Sequence, residues 1–200
     1  MTDYSREKKL LLQQAKNTVA SSYSRLVHAG VLVLTGDDCS VVRIVFAKGN
    51  FAHLCGFEVF TTRDKTRHDR QERFYDYMIG NTMLPLNRID FSDRHGSHQT
   101  SLEKCLRNTR QKIKIAPTAF DMLYSNLADK ESYIVQSAKS AVAIFVGDTC
   151  WALGLKPKAM AGNGDVSEYA PVSLLSESVL SDRVHRAGSF AARIVAAEWR

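Results

Sequence analysis

His53 is the side chain best suited to moving a proton. It stands in the segment VRIVFAKGNFAHLCGF (Val42 to Phe57), between Ala52 and Leu54, with Gly56 close behind. The unperturbed pKa of histidine lies near neutrality, so the ring can serve as general acid or general base. A glycine at position 56 permits close backbone approach by a substrate. The plainer role for His53 is a half-buried ring that satisfies a loop carbonyl. Lys139 and Ser140 directly precede the apolar run from Ala141 to Val146, and a cation at such a strand edge can reach a phosphate; it can equally sit in a turn. Tyr133 can stack a base or fill the core beside Ile134. Ser173, Ser176 and Ser178 alternate imperfectly with Val172, Leu174 and Leu175. Ser176 is the preferred hydroxyl for a phosphate oxygen, against the simpler role of an ordinary polar strand residue.

These residue types suit chemistry at a phosphodiester without a metal. A base takes the proton of a 2′-hydroxyl, an acid protonates the leaving 5′-oxygen, and cations hold the charge that grows on phosphorus. The candidate cations are several. Arg43 interrupts the apolar run VVRIVF, where a period of two groups it with Val41 and Val45 and places Val42, Ile44 and Phe46 on the opposite face. Lys48 lies in the turn Lys48-Gly49-Asn50 that follows. The stretch KCLRNTRQKIK holds Lys104, Arg107, Arg110, Lys112 and Lys114 with no acid among them. Arg107, Arg110 and Lys114 fall three and four apart, on one face of a helix. Such an unneutralised row is unfavourable alone and favourable beside phosphates. The run RDKTRHDRQER, by contrast, mixes signs and predicts a solvated helix or loop.

Composition agrees with an anionic partner. Lys and Arg number 27 against 21 Asp and Glu, giving a formal net charge of +6. A basic surface attracts polyanions, nucleic acid foremost. Other chemistries lack their signatures. There is no GxxxxGK[ST] loop, no GxGxxG after a strand, no GxSxG elbow and no HExxH, so no cofactor is expected. Acidic residues do not cluster as a two-metal nuclease requires. His95 and His98 stand three apart near Asp93, but Gly96 between them disfavours the helix that would make them a metal pair. Cys39, Cys55, Cys105 and Cys150 are far apart and fit no zinc spacing; free buried thiols in a reducing compartment are expected. The opening MTDYSREKKLLLQQAKN lacks an apolar core and a cleavage site, and no stretch is long enough to cross a bilayer. A cytoplasmic protein with no membrane role is expected.

The elements that must position these residues follow from periodicity. Leu11, Ala15, Val19, Ser22 and Leu26 form one stripe and predict a helix over 4–28, closed by Gly30. Val31 to Thr35 and Val41 to Phe46 predict a β-hairpin around Gly36-Asp37-Asp38. FAHLCGFEVF predicts a short helix or a third strand packed on that hairpin. A helix is expected over 67–79, then a long polar surface insert over about 81–101, then the basic helix over 102–115. Pro117 is expected to open a separate short helix over 118–127. Strands are predicted over 132–136, 141–146, 150–155 and 169–176, with a loop over 159–168. The Ala-rich end, from Val184 to Trp199, is expected to be helical. Helices and strands are partly segregated, which predicts one α+β domain over 1–200 with a mainly antiparallel sheet.

The strand ending in Phe46, the short turn and the Phe-x-His-Leu-x-Gly of residues 51–56 resemble the fourth phage-associated group of the barnase–EndoU–colicin–RelE-like nucleases. The pair Tyr133-Ile134, Lys139 before a β-rich hairpin, and PVSLLSES agree more loosely, so that the resemblance spans about Val31 to Ser178. It implies a strongly curved antiparallel sheet with an N-terminal helix and further helices packed on it. It also implies a metal-independent ribonuclease of toxin or phage type. His53, Lys139, Tyr133 and Ser176 would then be catalytic, and Arg43, Lys48, Arg107, Arg110 and Lys114 would bind RNA. The insert over 81–101 and the lack of a second histidine in the motif depart from the pattern. A non-catalytic binding module using the same basic face is the alternative, and a toxin held by a cognate antitoxin is a third.

Overall fold

The computed structural model describes residues 3–60, 67–92, 101–125, 127–137, 142, 144–158, 168–185 and 188–200. In chain order the elements begin α1 (Asp3–Thr18), α2 (Ala20–Ala29), β1 (Val31–Gly36), β2 (Val41–Val45), α3 (Phe51–Leu54), β3 (Phe57–Val59), α4 (Arg67–Met78) and β4 (Ile89–Phe91). They continue α5 (Leu102–Ser125), β5 (Tyr133–Gln136), β6 (Ile144–Gly147), β7 (Ala152–Pro157), β8 (Glu168–Leu175) and β9 (Phe190–Trp199). The chain divides into two compact units, Met1–Ser24 with Ala47–Pro117 and Arg25–Phe46 with Thr118–Arg200.

The expected N-terminal stripe is present. Leu11, Ala15, Val19, Ser22 and Leu26 are all buried. The helix is interrupted at Val19, yet the Val19 N–H still donates to Ala15 at 3.0 Å and the Tyr23 N–H to Val19 at 3.0 Å. Gly30 follows with φ of +98°, a conformation that costs a side chain dearly.

The first unit is built on aromatic rings. Phe57 stacks on Phe91 at 5.8 Å and meets Phe74 at 5.6 Å, while Phe51 meets Tyr23 at 5.0 Å. Strands β3 and β4 pair antiparallel, Phe57 with Phe91 and Val59 with Ile89. This corrects two expectations. FAHLCGFEVF, expected to be either a helix or a strand, is both, and its strand pairs with β4. The polar insert is in part structural: Leu84, Ile89 and Phe91 are buried. A three-residue strand among polar neighbours is too short for its alternation to stand out. Residues 93–100, with His95 and His98, lie outside the described residues.

Helix α5 runs through Pro117, where the sequence predicts two helices. An interior proline costs about 3 kcal/mol or more. The apolar stripe of Cys105, Ile113, Ala116, Phe120 and Leu123 continues across it and is buried throughout, which offsets that cost.

The second unit is α+β around a closed barrel, in the strand order β1-β2-β8-β7-β6-β5-β9. Neighbours are antiparallel except β2 with β8, which is parallel. The expected sheet is thus mainly antiparallel and curved to closure. The Ala-rich end is a strand, contrary to expectation. Alanine favours helix, but β9 pairs with both β1 and β5 and so closes the barrel. Among the described residues, closure leaves the barrel itself with no edge strand to template aggregation. Ala192, Ile134, Val146, Leu153 and Leu174 form one buried row across five strands. Val135, Phe145 and Ala152, of the opposite parity, meet Val179 and Val184 in a second cluster. No helix among the described residues is long and apolar enough to cross a membrane.

Candidate functional site in the first unit

The His53 turn is held at both ends. Upstream, Asn50 donates its N–H to Ala47 at 3.0 Å and accepts the Ala47 N–H at 3.1 Å through its side chain. The Tyr23 hydroxyl also donates to the Ala47 carbonyl, at 2.8 Å. Downstream, the Gly56 N–H donates to the His53 carbonyl at 3.1 Å. Gly56 has φ of +85°, the left-handed cap that ends many helices. Phe51, Ala52, Leu54 and Cys55 are buried, and His53 is the half-buried residue among them.

Helix α5 packs directly on this turn. Lys112 Nζ donates to the His53 carbonyl at 3.2 Å, and Thr109 Oγ1 donates to the Gly56 carbonyl at 3.2 Å. A Cβ on Gly56 would lie 2.7 Å from Thr109 Oγ1 and 3.2 Å from Thr109 Cα. The close approach expected at Gly56 is therefore made by a helix, not kept open for a substrate. Burial pushes the Cys55 thiol well up from its ordinary value, with the Lys112 charge pulling the other way. Burial of this kind disfavours the thiolate, the form of cysteine that acts as a nucleophile. Two of the four cysteines, Cys55 and Cys105, are buried, while Cys39 and Cys150 are exposed, which corrects the expectation of burial for most of them. Two thiols should react with a chromogenic disulfide reagent in the native protein and all four after denaturation. Rapid native reaction of a third would contradict this burial.

The predicted cations are placed as follows. Arg107 and Lys114 are exposed on α5, and among the described residues no ion pair holds either. Arg110 is ion-paired to Glu7 of α1, so the row is not wholly unneutralised. Lys48 pairs with Asp76 at 3.2 Å and lies 5.7 Å over the Tyr75 ring. The first unit thus joins His53, Lys48 and the basic helix. Lys112 was readable only as one more charge in the run. Its signal is position: 105, 109, 112 and 116 share a helix face, so a lysine at 112 borders the packed stripe.

Arg43, Tyr133 and Ser176 belong to the second unit. Arg43 is half-buried and lies on the face opposite Val42, Ile44 and Phe46, as the period of two requires. Tyr133 is half-buried, and its hydroxyl donates to Glu131 at 2.8 Å. Tyr133, Gly147, Ala152 and Leu175 form one row, and exposed Ser176 follows its far end. Three strand spacings of about 4.8 Å put the ends of that row about 14 Å apart. Tyr133 and Ser176 are therefore not brought to one reacting atom. Lys139 lies outside the described residues. No known family model, curated protein or solved structure matches the chain.

Proposed function

We propose that the chain is a metal-independent ribonuclease of toxin or phage type, related to the barnase–EndoU–colicin–RelE-like nucleases and acting in the cytoplasm. The observation that carries this reading is the hydrogen bond from Lys112 to the His53 carbonyl at 3.2 Å. It ties the half-buried imidazole and the basic helix into one compact unit. His53 acts as general acid or base at the 2′-hydroxyl or the leaving oxygen. Exposed Arg107 and Lys114 track the RNA backbone, and Lys112 supplies positive potential beside the histidine. A cognate antitoxin is the expected protein partner.

Purified protein should degrade RNA in EDTA. Its affinity for RNA should fall steeply as salt rises, because cations on a helix bind phosphates by releasing counterions. RNA left intact at high protein concentration would remove the catalytic reading. Salt-sensitive binding without turnover would select a non-catalytic nucleic-acid module, a role that the exposed cations of α5 also fit.

A further inference from the structure

On the face of the barrel away from its buried row, Tyr133 of β5 stands directly opposite Arg193 of β9. Residues so opposed in an antiparallel pair keep their Cβ atoms about 4.5–5.5 Å apart on one face. Both are held from outside the pair. The Arg193 N–H donates to Asp37 Oδ1 at 3.0 Å, and its carbonyl accepts the Asp37 N–H at 2.9 Å, so the β1–β2 turn clamps this point of β9. The Tyr133 hydroxyl donates to Glu131 Oε1 at 2.8 Å, and the ring packs against the cluster of Val135, Phe145 and Ala152. The Glu131 acceptor, above all, raises the phenol's pKa, with Asp37 adding to the rise and the Arg193 charge lowering it.

Of the two carboxylates of this cluster, Asp37 accepts a backbone N–H and Glu131 the phenol's O–H. Arg193 is exposed, and among the described residues no ion pair takes its guanidinium. A half-buried aromatic ring opposite an exposed guanidinium on a sheet surface offers two complementary contacts. An unstacked base can lie on the ring, and the adjoining phosphate can meet the fork. A duplex cannot present that unstacked base.

We propose that Tyr133 and Arg193 form a nucleotide subsite for single-stranded RNA on the outer face of the barrel. The proposal rests on the ribonuclease reading for the class of its ligand and adds, within the second unit alone, the strand form and the two residues that take it. Arg193 is a further RNA-contacting residue, in the second unit, and Tyr133 is here a stacking residue rather than a catalytic one.

The test uses a fluorescein-labelled 2′-deoxy pentanucleotide, which 2′-hydroxyl chemistry cannot cleave, and reads its binding to the full chain by anisotropy. Tyr133→Ala and Arg193→Ala should each weaken binding about tenfold. Tyr133→Phe, which keeps the ring, should bind like the unsubstituted chain, and a labelled hairpin whose long stem contains the same sequence should bind more weakly. Circular dichroism melts of each variant report whether the barrel is intact. Equal binding by both alanine variants, or no binding by the unsubstituted chain, overturns the subsite. RNA cleavage that persists alongside either result leaves the ribonuclease reading standing. Weakened binding in a chain that cleaves no RNA sinks that reading and keeps the subsite.

Discussion

His53→Ala should lower the rate of RNA cleavage in EDTA by about 10²–10⁴-fold, the range that a positioned acid or base contributes. The fold should survive the change. The ring is only half-buried, and the Lys112 and Gly56 hydrogen bonds to His53 are made to its carbonyl, which alanine retains. Initial rates on a fluorogenic oligoribonucleotide, beside a thermal melt, separate lost chemistry from lost structure. A well-folded variant as active as the unsubstituted chain would remove His53 from the mechanism. If expression of the chain arrests growth, the same substitution should relieve the arrest.

Phe51→Ala should cost about 3–5 kcal/mol of stability, the usual range for truncating a buried aromatic. Phe51 is fully buried and meets Tyr23 at 5.0 Å, Tyr75 at 5.8 Å and Phe74 at 6.0 Å. The cavity would lie under the turn that carries His53, so activity should fall with stability. Guanidinium denaturation followed by tyrosine and tryptophan fluorescence measures the change. A loss below about 1 kcal/mol would mean that the aromatic cluster is not the core of the first unit.

Much of the fold was legible where side chains are large and the period is clear. The β1–β2 hairpin, α4 and strands β5 to β8 follow from alternation, helical stripes and turn residues. The failures share a physical cause. In β9 the inward positions are Ala192 and Ile194 and the outward ones include Ala191 and Arg193, so small side chains mute a period of two that is in fact present. Local preference then points to helix, while pairing with two neighbouring strands decides for extended chain. Pro117 misleads for the same reason, because the stripe that carries α5 past it is long-range packing.

The candidate site was legible in part. His53 stands out by type and by its apolar frame, and the basic helix by its charges. The contact between them was not, because Lys112 looks like any other lysine until helix phase sets it against the His53 turn. Gly56 suggested room for a ligand, and only the position of Thr109 shows which neighbour uses that room. The pairing of Tyr133 with Arg193 depends on β9 being a strand, so it could not be seen while that segment read as helix.

The central claim, proton transfer to and from RNA without a metal, is tested most directly by the ends of the cleaved strands. Attack by the 2′-oxygen on phosphorus expels the 5′-oxygen, so mass spectrometry of a digest in EDTA should find 2′,3′-cyclic phosphate and 5′-hydroxyl termini. A single 2′-deoxy substitution at the cleaved nucleotide should leave that linkage whole. Fragments with 3′-hydroxyl and 5′-phosphate ends, or a digestion that EDTA abolishes, would contradict it.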